Sequence, residues 1–443
     1  MFASERECRE WLERSPNTSN DAEKPDNAHL HTLAVVCTSL PPQRQKLLRE
    51  LVATFPKLFS YSPGKIKGME VDMELIPNAK PVRHPIQQFG RAQAEIVRLW
   101  ITSALADGSY ERARPDNDWA SRVHIAPSRN ASGMLSKMRI CGDYRDVNKL
   151  FSSVAQRTPN PDAIKEALAG FTFYGKCDLA VGYGNLALSP RTRQILAVWT
   201  PIGLMQPTGA PFGPKNCSVY MQVAMERALA TTLPQWYGRS LFVYQDDIYW
   251  AANDWETYLK ITRDTLLALL KTGAHLKPDK LFLGFHELTI LGSSISRNGV
   301  KPGPEHMEAS RTLPEIATDR TGVKSILGFY EHYRKHFPNF SSLVAPLTEL
   351  TRDKITFKWE PKHTAIVRQL KRMMLSAPIL VPFQPEAPLY LSTDVSQWGW
   401  GSSALPCERR QGAPNSVPIS QTDADSTSLA SLRTGSLRSS RST

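Results

Sequence analysis

The stretch Ser240–Ala251, SLFVYQDDIYWA, constrains this chain more than any other. A β-rich run leads into two adjacent aspartates, and a second β-rich run follows. The simplest geometry is a hairpin with Asp246 and Asp247 at its tip. Neighbouring carboxylates repel one another unless a cation or a solvated turn relieves them. Aspartate is common in solvated turns, so the pair by itself leaves two readings open, a polar turn or a cation site. The apolar and aromatic flanks bring the two readings to about equal weight.

A second segment supplies a third carboxylate. Phe173 to Leu179 reads as a strand ending in Asp178, and Gly182-Tyr183 follows. Alone, such an aspartate is more often a strand-end cap than a ligand. Two Mg²⁺ ions about 4 Å apart can hold an in-line phosphoryl displacement, one activating the attacking hydroxyl and the other neutralising the leaving pyrophosphate. That chemistry needs two or three carboxylates converging from separate strands.

The remaining pattern is mixed. Helical spacing marks Pro41 to Phe55, Ala92 to Leu105, Pro161 to Ala169, Lys215 to Thr231, Glu256 to Thr272 and residues 322–350. Strand-like runs lie at Arg122 to Ala126, Met138 to Cys141, Ile195 to Thr200, Ile379 to Phe383 and Leu389 to Thr393. Strict βαβα alternation is missing, so the expected class is α+β. Residues 1–41 are polar and read as a linker, whereas 408–443 are rich in Ser, Thr and Arg, carry no aromatic residue and read as disordered.

Lysine and arginine exceed acidic residues, 54 against 42, for a net charge of +12. The surplus favours a polyanionic partner without choosing between nucleic acid and an acidic membrane surface. No apolar run approaches the roughly 18 residues of a membrane helix, and the start of the chain lacks a signal-peptide core. Cys8, Cys37, Cys141, Cys177, Cys217 and Cys407 are scattered without a C-x-x-C pair and read as reduced thiols. The expected compartment is the cytoplasm, with the nucleus or a virus-like particle left open.

Taken in order, the motifs resemble those of a reverse transcriptase. Asp178 with Gly182-Tyr183, then Pro211-Phe212-Gly213-Pro214-Lys215-Asn216, then Tyr244-Gln245-Asp246-Asp247 are similar to motifs A, B and C of that family. Arg139-Ile140-Cys141-Gly142-Asp143-Tyr144-Arg145-Asp146-Val147-Asn148 resembles the fingers motif of Ty3/gypsy-type LTR-retrotransposon polymerases, and Asp118-Trp119-Ala120-Ser121 precedes it. Leu276 to Phe282 resembles motif D. Leu291-Gly292 with Ser296 and Gly299 resembles the primer grip, and Leu327-Gly328-Phe329-Tyr330 with Tyr333-Arg334 and Phe337 the thumb pattern. The resemblance runs from residue 42 to 404.

The resemblance implies a right-hand polymerase. Fingers and a ferredoxin-like palm would occupy 42–300, thumb and connection helices 301–360, and a truncated RNase H-like segment 361–407. It implies an RNA-directed DNA polymerase working by two-metal nucleotidyl transfer on an RNA or DNA template with primer and deoxynucleoside triphosphates. Two Mg²⁺ ions, with Mn²⁺ as a substitute, would be held by Asp178, Asp246 and Asp247. Tyr183 would press against the sugar and exclude a 2′-hydroxyl, Phe212 and Gly213 would line the nucleotide pocket, and Arg139 assisted by Lys137 would clamp the triphosphate. Lys280 would protonate the pyrophosphate. The alternative for Tyr183 is a packed core aromatic, and for Lys280 a solvated surface lysine.

Several positions depart from the family pattern. Gln245 replaces an aliphatic residue, Gly184 and Asn185 replace a His or Trp followed by Gln, Arg122 replaces Pro, Ser128 to Ser136 replaces a Lys-Lys-Asp-Gly-like turn, and Leu281 replaces a frequent Cys. None removes a metal ligand. Leu389 to Ser396 with Asp394, then Gly399 and Gly401, resembles the opening of an RNase H domain whose first catalytic acid would be Asp394. Later carboxylates with a matching pattern are missing, so RNase H activity is not expected. Protease, zinc-knuckle and integrase motifs are also missing, which suggests a fragment of a longer polyprotein or a degenerate copy. The alternative is a catalytically impaired nucleic-acid-binding relic of the same family.

Overall fold

Five short apolar runs become the strands of one sheet: β1 (Val35–Val36), β2 (Phe173–Asp178), β3 (Leu241–Tyr244), β4 (Asp247–Ala252) and β5 (Phe282–Phe285), in the order β1-β5-β2-β4-β3. This is a computed structural model, and it describes residues 4–14, 27–129, 135–155, 158–353, 355–376, 380, 389–396, 399–406 and 417–419. Of these, the side chains of 13–14, 27–28, 129, 135–137 and 389–419 lie outside the description. The chain forms two units, 1–298 and 299–443.

The sheet sits in the first unit. β2 and β4 run antiparallel, with Asp178 opposite Asp247, Cys177 opposite Ile248 and Gly175 opposite Trp250. Every residue of β4 after Asp247 is buried, because two helices cover the sheet. Helix α1 (Cys217–Thr232) packs on β3, and α2 (Trp255–Thr272) packs on β2 and β4. The local signals for α2 are plain. Asp254 accepts from the Thr257 amide at 2.8 Å to cap its start, and Gly273, with φ +79°, closes its end. Between them Tyr258, Ile261, Thr262, Thr265, Leu266 and Leu269 recur at helical spacing and are buried.

The segment read as a polar linker departs from that expectation. Val35 and Val36 pair in parallel with Phe282 and Leu283 and add an edge strand to the sheet. Glu5–Arg14 forms a helix. The Glu5 carboxylate accepts from the amides of Ala92 at 2.7 Å and Gln93 at 3.3 Å, capping the Arg91–Ala106 helix. A negative side chain is favourable at that positive helix end, which explains why a polar segment stays docked. The linker-like stretch 15–26 lies outside the described residues. Ile195 to Thr200 also divides differently. Ser189 caps a short helix Pro190–Ile195, and only Val198–Thr200 is a strand.

The fingers motif forms one arm of a hairpin, Arg122–Arg129 against Leu135–Asp143, with Arg122 opposite Asp143 and Ala126 opposite Arg139. At its base Asp143 bonds Arg145 at 2.7 Å and His124 at 2.9 Å. The Arg145 contact, ahead of the others, holds the Asp143 carboxyl well below the usual carboxylate range. A depressed carboxylate lends stability above its unfolded value, near 4, and loses it as pH falls towards its folded value. Asp143→Asn is therefore expected to flatten the loss of melting temperature below about pH 4, read by thermal scans across pH. An unchanged acid limb would contradict it.

In the second unit, Arg320–Glu331, Phe340–Glu349 and Pro361–Leu375 share one core built on Val323, Ile326, Tyr330, Phe340, Leu347, Val367 and Leu370. The 361–375 helix thus packs in the same core as the two helices before it. Further on, Leu389–Ser396 pairs with Gly399–Pro406 as a hairpin, and Val417–Ile419, inside the stretch read as disordered, pairs with 402–404. Within Ile379 to Phe383 only residue 380 is described.

Candidate active site

The turn closing β3 and β4 consists of Gln245 and Asp246, since Tyr244 already pairs with Asp247. The tip therefore carries Asp246 alone, and Asp247 belongs to the strand, opposite Asp178. Tight two-residue hairpin turns demand a positive φ at the first central position, usually supplied by glycine. Here Gln245 takes it, at φ +57°. For a non-glycine residue this costs of order 1 kcal/mol or more and persists only where the surroundings impose it.

The surroundings are visible. The Gln245 amide donates to Gln222 Oε1 at 2.7 Å. Gln222 Nε2 donates in turn to the Val243 carbonyl at 3.1 Å and to Glu226 at 2.7 Å. Gln222 is buried on α1, so one side chain from the helix bonds both the turn and the strand leading into it. Replacing it with leucine leaves the Gln245 amide without that partner, at a cost of about 1–3 kcal/mol. Chemical denaturation of Gln222→Leu checks this, and an unchanged midpoint would contradict it.

The carboxylates gather at this turn. Burial, and after it the Asp178 carboxylate opposite, pushes the Asp247 carboxyl up to about 7. Burial also raises Asp246, with Asp178 contributing, and it raises the Tyr249 phenol, which is bonded to Asp247. Asp246 rests against Gly182, where a Cβ would lie 2.9 Å from its carboxylate oxygen. Gly182 is also at φ +49°, so both space and backbone conformation favour glycine there. Carboxylates crowded in this way share protons or recruit a cation.

The nucleotide-pocket candidates meet on the same side. The rings of Tyr183 and Phe212 stand edge to face, 5.7 Å between centroids. The Tyr183 hydroxyl donates to Gln245 Oε1 at 2.9 Å. Phe212 is 51% exposed, a large aromatic open to a ligand. Gly213 lies on the loop before α1, and its carbonyl accepts from Asn148 Nδ2 at 2.9 Å, while Asn148 Oδ1 accepts from the Lys215 amide at 2.7 Å. The end of the fingers motif therefore anchors the Pro-Phe-Gly loop.

Other candidates lie apart. Arg139 is exposed on the fingers hairpin, and none of its described contacts joins it to the aspartates. Lys137 pairs with Ser128 through its strand, and its side chain lies outside the description. Lys280 closes the turn Pro278–Lys280 half-buried, whereas it is the Lys277 amide that bonds the Asp178 carbonyl, at 3.0 Å. Asp394 pairs with Gly401 in the second unit's hairpin, and its side chain also lies outside the description.

Sequence reasoning passed over Gln222, and it named Asn148 only as the end of the fingers motif, with no role of its own. Their signal was faint: Gln222 is a polar residue on the apolar face of a predicted helix. Asn185 was noted only as a departure. It is buried, accepts from the amides of Gly64 at 2.8 Å and His275 at 3.2 Å, and donates to the carbonyls of Ala180 and Gly182. It pins the segment between Asp178 and Tyr183.

A helix-backed sheet with carboxylates on neighbouring strands, beside the Tyr183–Phe212 ring pair and a Pro-Phe-Gly loop, has the architecture of a right-hand polymerase palm. Residues 128–295 match the family described as reverse transcriptase (RNA-dependent DNA polymerase), and 359–413 match an RNase H-like domain found in reverse transcriptase. The chain carries a reverse transcriptase domain and is similar to the polyproteins of LTR retrotransposons. It is 24% identical over 397 residues to the retrovirus-related Pol polyprotein from transposon opus of Drosophila melanogaster, covering 85% of this chain and 38% of that protein. It is 24% identical over 344 residues to the Tf2-3 polyprotein of Schizosaccharomyces pombe, covering 77% and 25%. The chain thus spans well under half the length of these relatives. Two foamy viral protease–reverse transcriptase structures share the fold. One, a dRH form in complex with double-stranded DNA, has TM-score 0.75 at 20% identity, over 89% of this chain and 67% of that one. The other, with an RNA/DNA hybrid, has TM-score 0.74 at 20% identity, over 91% and 52%. The fold is therefore the α+β right hand, and reverse transcriptases as a family use divalent metal ions.

Proposed function

We propose that this chain is an RNA-directed DNA polymerase that extends a primer on an RNA or DNA template. The observation that carries the reading is the register placing Asp178 opposite Asp247, with Asp246 on the adjoining turn. The residues fit Mg²⁺. They offer hard carboxylate oxygens, and burial, followed by the Asp178 carboxylate opposite, raises the Asp247 carboxyl to about 7, a cost of charge that a cation would relieve. Among the described residues no three carboxylate, imidazole or thiol groups close a metal cage by themselves. That accords with Mg²⁺, which is usually held by one or two carboxylates together with water and substrate phosphates.

When bound, such ions would activate the primer hydroxyl and neutralise the leaving pyrophosphate. The chain's own part is positional. Asp178 and Asp246 would hold the ions, with Asp247 as the third acid. Tyr183, packed on Phe212, would fill the space a 2′-hydroxyl needs and so favour deoxynucleotides. Arg139, with Lys137, would meet the triphosphate, and Lys280 would supply a proton to pyrophosphate. The surplus of +12 would hold the duplex through its phosphates, with affinity falling as salt rises.

Extension of oligo(dT) on poly(A) with Mg²⁺ or Mn²⁺ tests the reading. Elongated product is expected. Salt-sensitive binding of the duplex with no product under either ion would instead mark a binding relic.

A further inference from the structure

We propose that Gln245 is a positioning residue for nucleotide selection, tethering the Tyr183 ring to the turn that carries Asp246. The inference rests on the polymerase reading above, and it goes beyond the steric role assigned to Tyr183 alone.

A ring that discriminates by excluding one hydroxyl works only if it stays in place. Tyr183 is gripped on two sides. It packs edge to face with Phe212, 5.7 Å between centroids, yet Phe212 is half exposed and offers a loose wall. The firmer hold is polar: the phenol donates to Gln245 Oε1 at 2.9 Å. Gln245 is itself immobilised. It occupies the positive-φ corner of the turn, and its amide is bonded to Gln222, which is buried and bonded onward to Val243 and Glu226. A continuous chain of bonds thus runs from α1 through the turn to the phenol.

An aliphatic side chain at 245 could not accept this bond. The departure of Gln245 from the family pattern and the phenolic hydroxyl of Tyr183 therefore explain each other. The Gln222 bond uses only the backbone amide of Gln245, so the side chain is left to bond the ring. One bond then couples the position of the sugar-facing ring to the position of the carboxylate turn.

The test uses Gln245→Met, which keeps length and the backbone bond while removing the acceptor, and Tyr183→Phe, which keeps the ring while removing the donor. The readout is the ratio of kcat/KM for a deoxynucleotide over its ribonucleotide, with kcat and KM resolved for each. Each variant is expected to lower that ratio by about three- to tenfold, the factor commanded by one hydrogen bond of ordinary net strength, chiefly by improving ribonucleotide KM. The double variant should fall no further than either single one. Wild-type discrimination in Gln245→Met, or multiplying effects in the double variant, would overturn the tether. If the unmodified protein extends no primer, the polymerase reading fails while the tether remains measurable. The same four proteins then give a thermal double-mutant cycle, in which non-additive melting shifts support the bond and additive shifts overturn it.

Discussion

Asp246→Asn is expected to lower primer extension by roughly a thousandfold or more while leaving the protein folded. On the proposed reading Asp246 would hold a catalytic ion, and removing its charge would forfeit several kcal/mol of transition-state stabilisation, where about 1.4 kcal/mol is a factor of ten. The fold should not suffer. Burial and the neighbouring Asp178 already push the Asp246 carboxyl upward, so a neutral amide of the same shape removes a desolvation cost and a repulsion. Asp246 also meets the Leu179 amide through its backbone carbonyl, at 3.1 Å, which the substitution keeps. Extension assays beside thermal melts check both halves. Activity within tenfold of the unmodified protein would remove Asp246 from the metal site, and a large drop in melting temperature would make it a structural residue.

The second large effect is structural. Trp250→Ala is expected to cost about 3–5 kcal/mol, the range for deleting a large buried aromatic. Trp250 is fully buried at the centre of β4. Its indole lies over Gly175 so closely that a Cβ there would come within 2.3 Å of it, and its Nε1 donates to Thr262 Oγ1 at 2.9 Å. Truncation empties the space between the sheet and α2 and leaves Thr262 without that donor. The same packing predicts that Gly175→Val is about as damaging from the opposite strand. Denaturant midpoints measure both, and a loss below about 1 kcal/mol for Trp250→Ala would show that the site collapses to fill the void.

Much of this was legible in the residues. The β-rich runs on either side of the paired acids pointed to a hairpin, and the helical spacing of Glu256 to Thr272 placed α2 to within about a residue of its observed bounds, because those signals are local. The convergence of Asp178 with Asp246 and Asp247 was reached through the order of the motifs, while the register setting Asp178 opposite Asp247, across 68 intervening residues, leaves no local trace. The turn itself was misplaced by one residue. Glutamine at positive φ is disfavoured, so nothing in the stretch announced that Gln245 would take the corner. The docking of Glu5 on the Arg91–Ala106 helix was hidden for the same reason: it depends on a helix end 87 residues away. Gln222 and Asn185 are legible only after folding, because a buried amide reveals its purpose through its partners.

The most direct measurement is single-nucleotide addition to oligo(dT) annealed on poly(A), with Mg²⁺ present and then chelated. Template-directed addition of dTTP that stops on chelation is the predicted result. Bound template-primer with no addition, or addition that continues without a divalent ion, would contradict it.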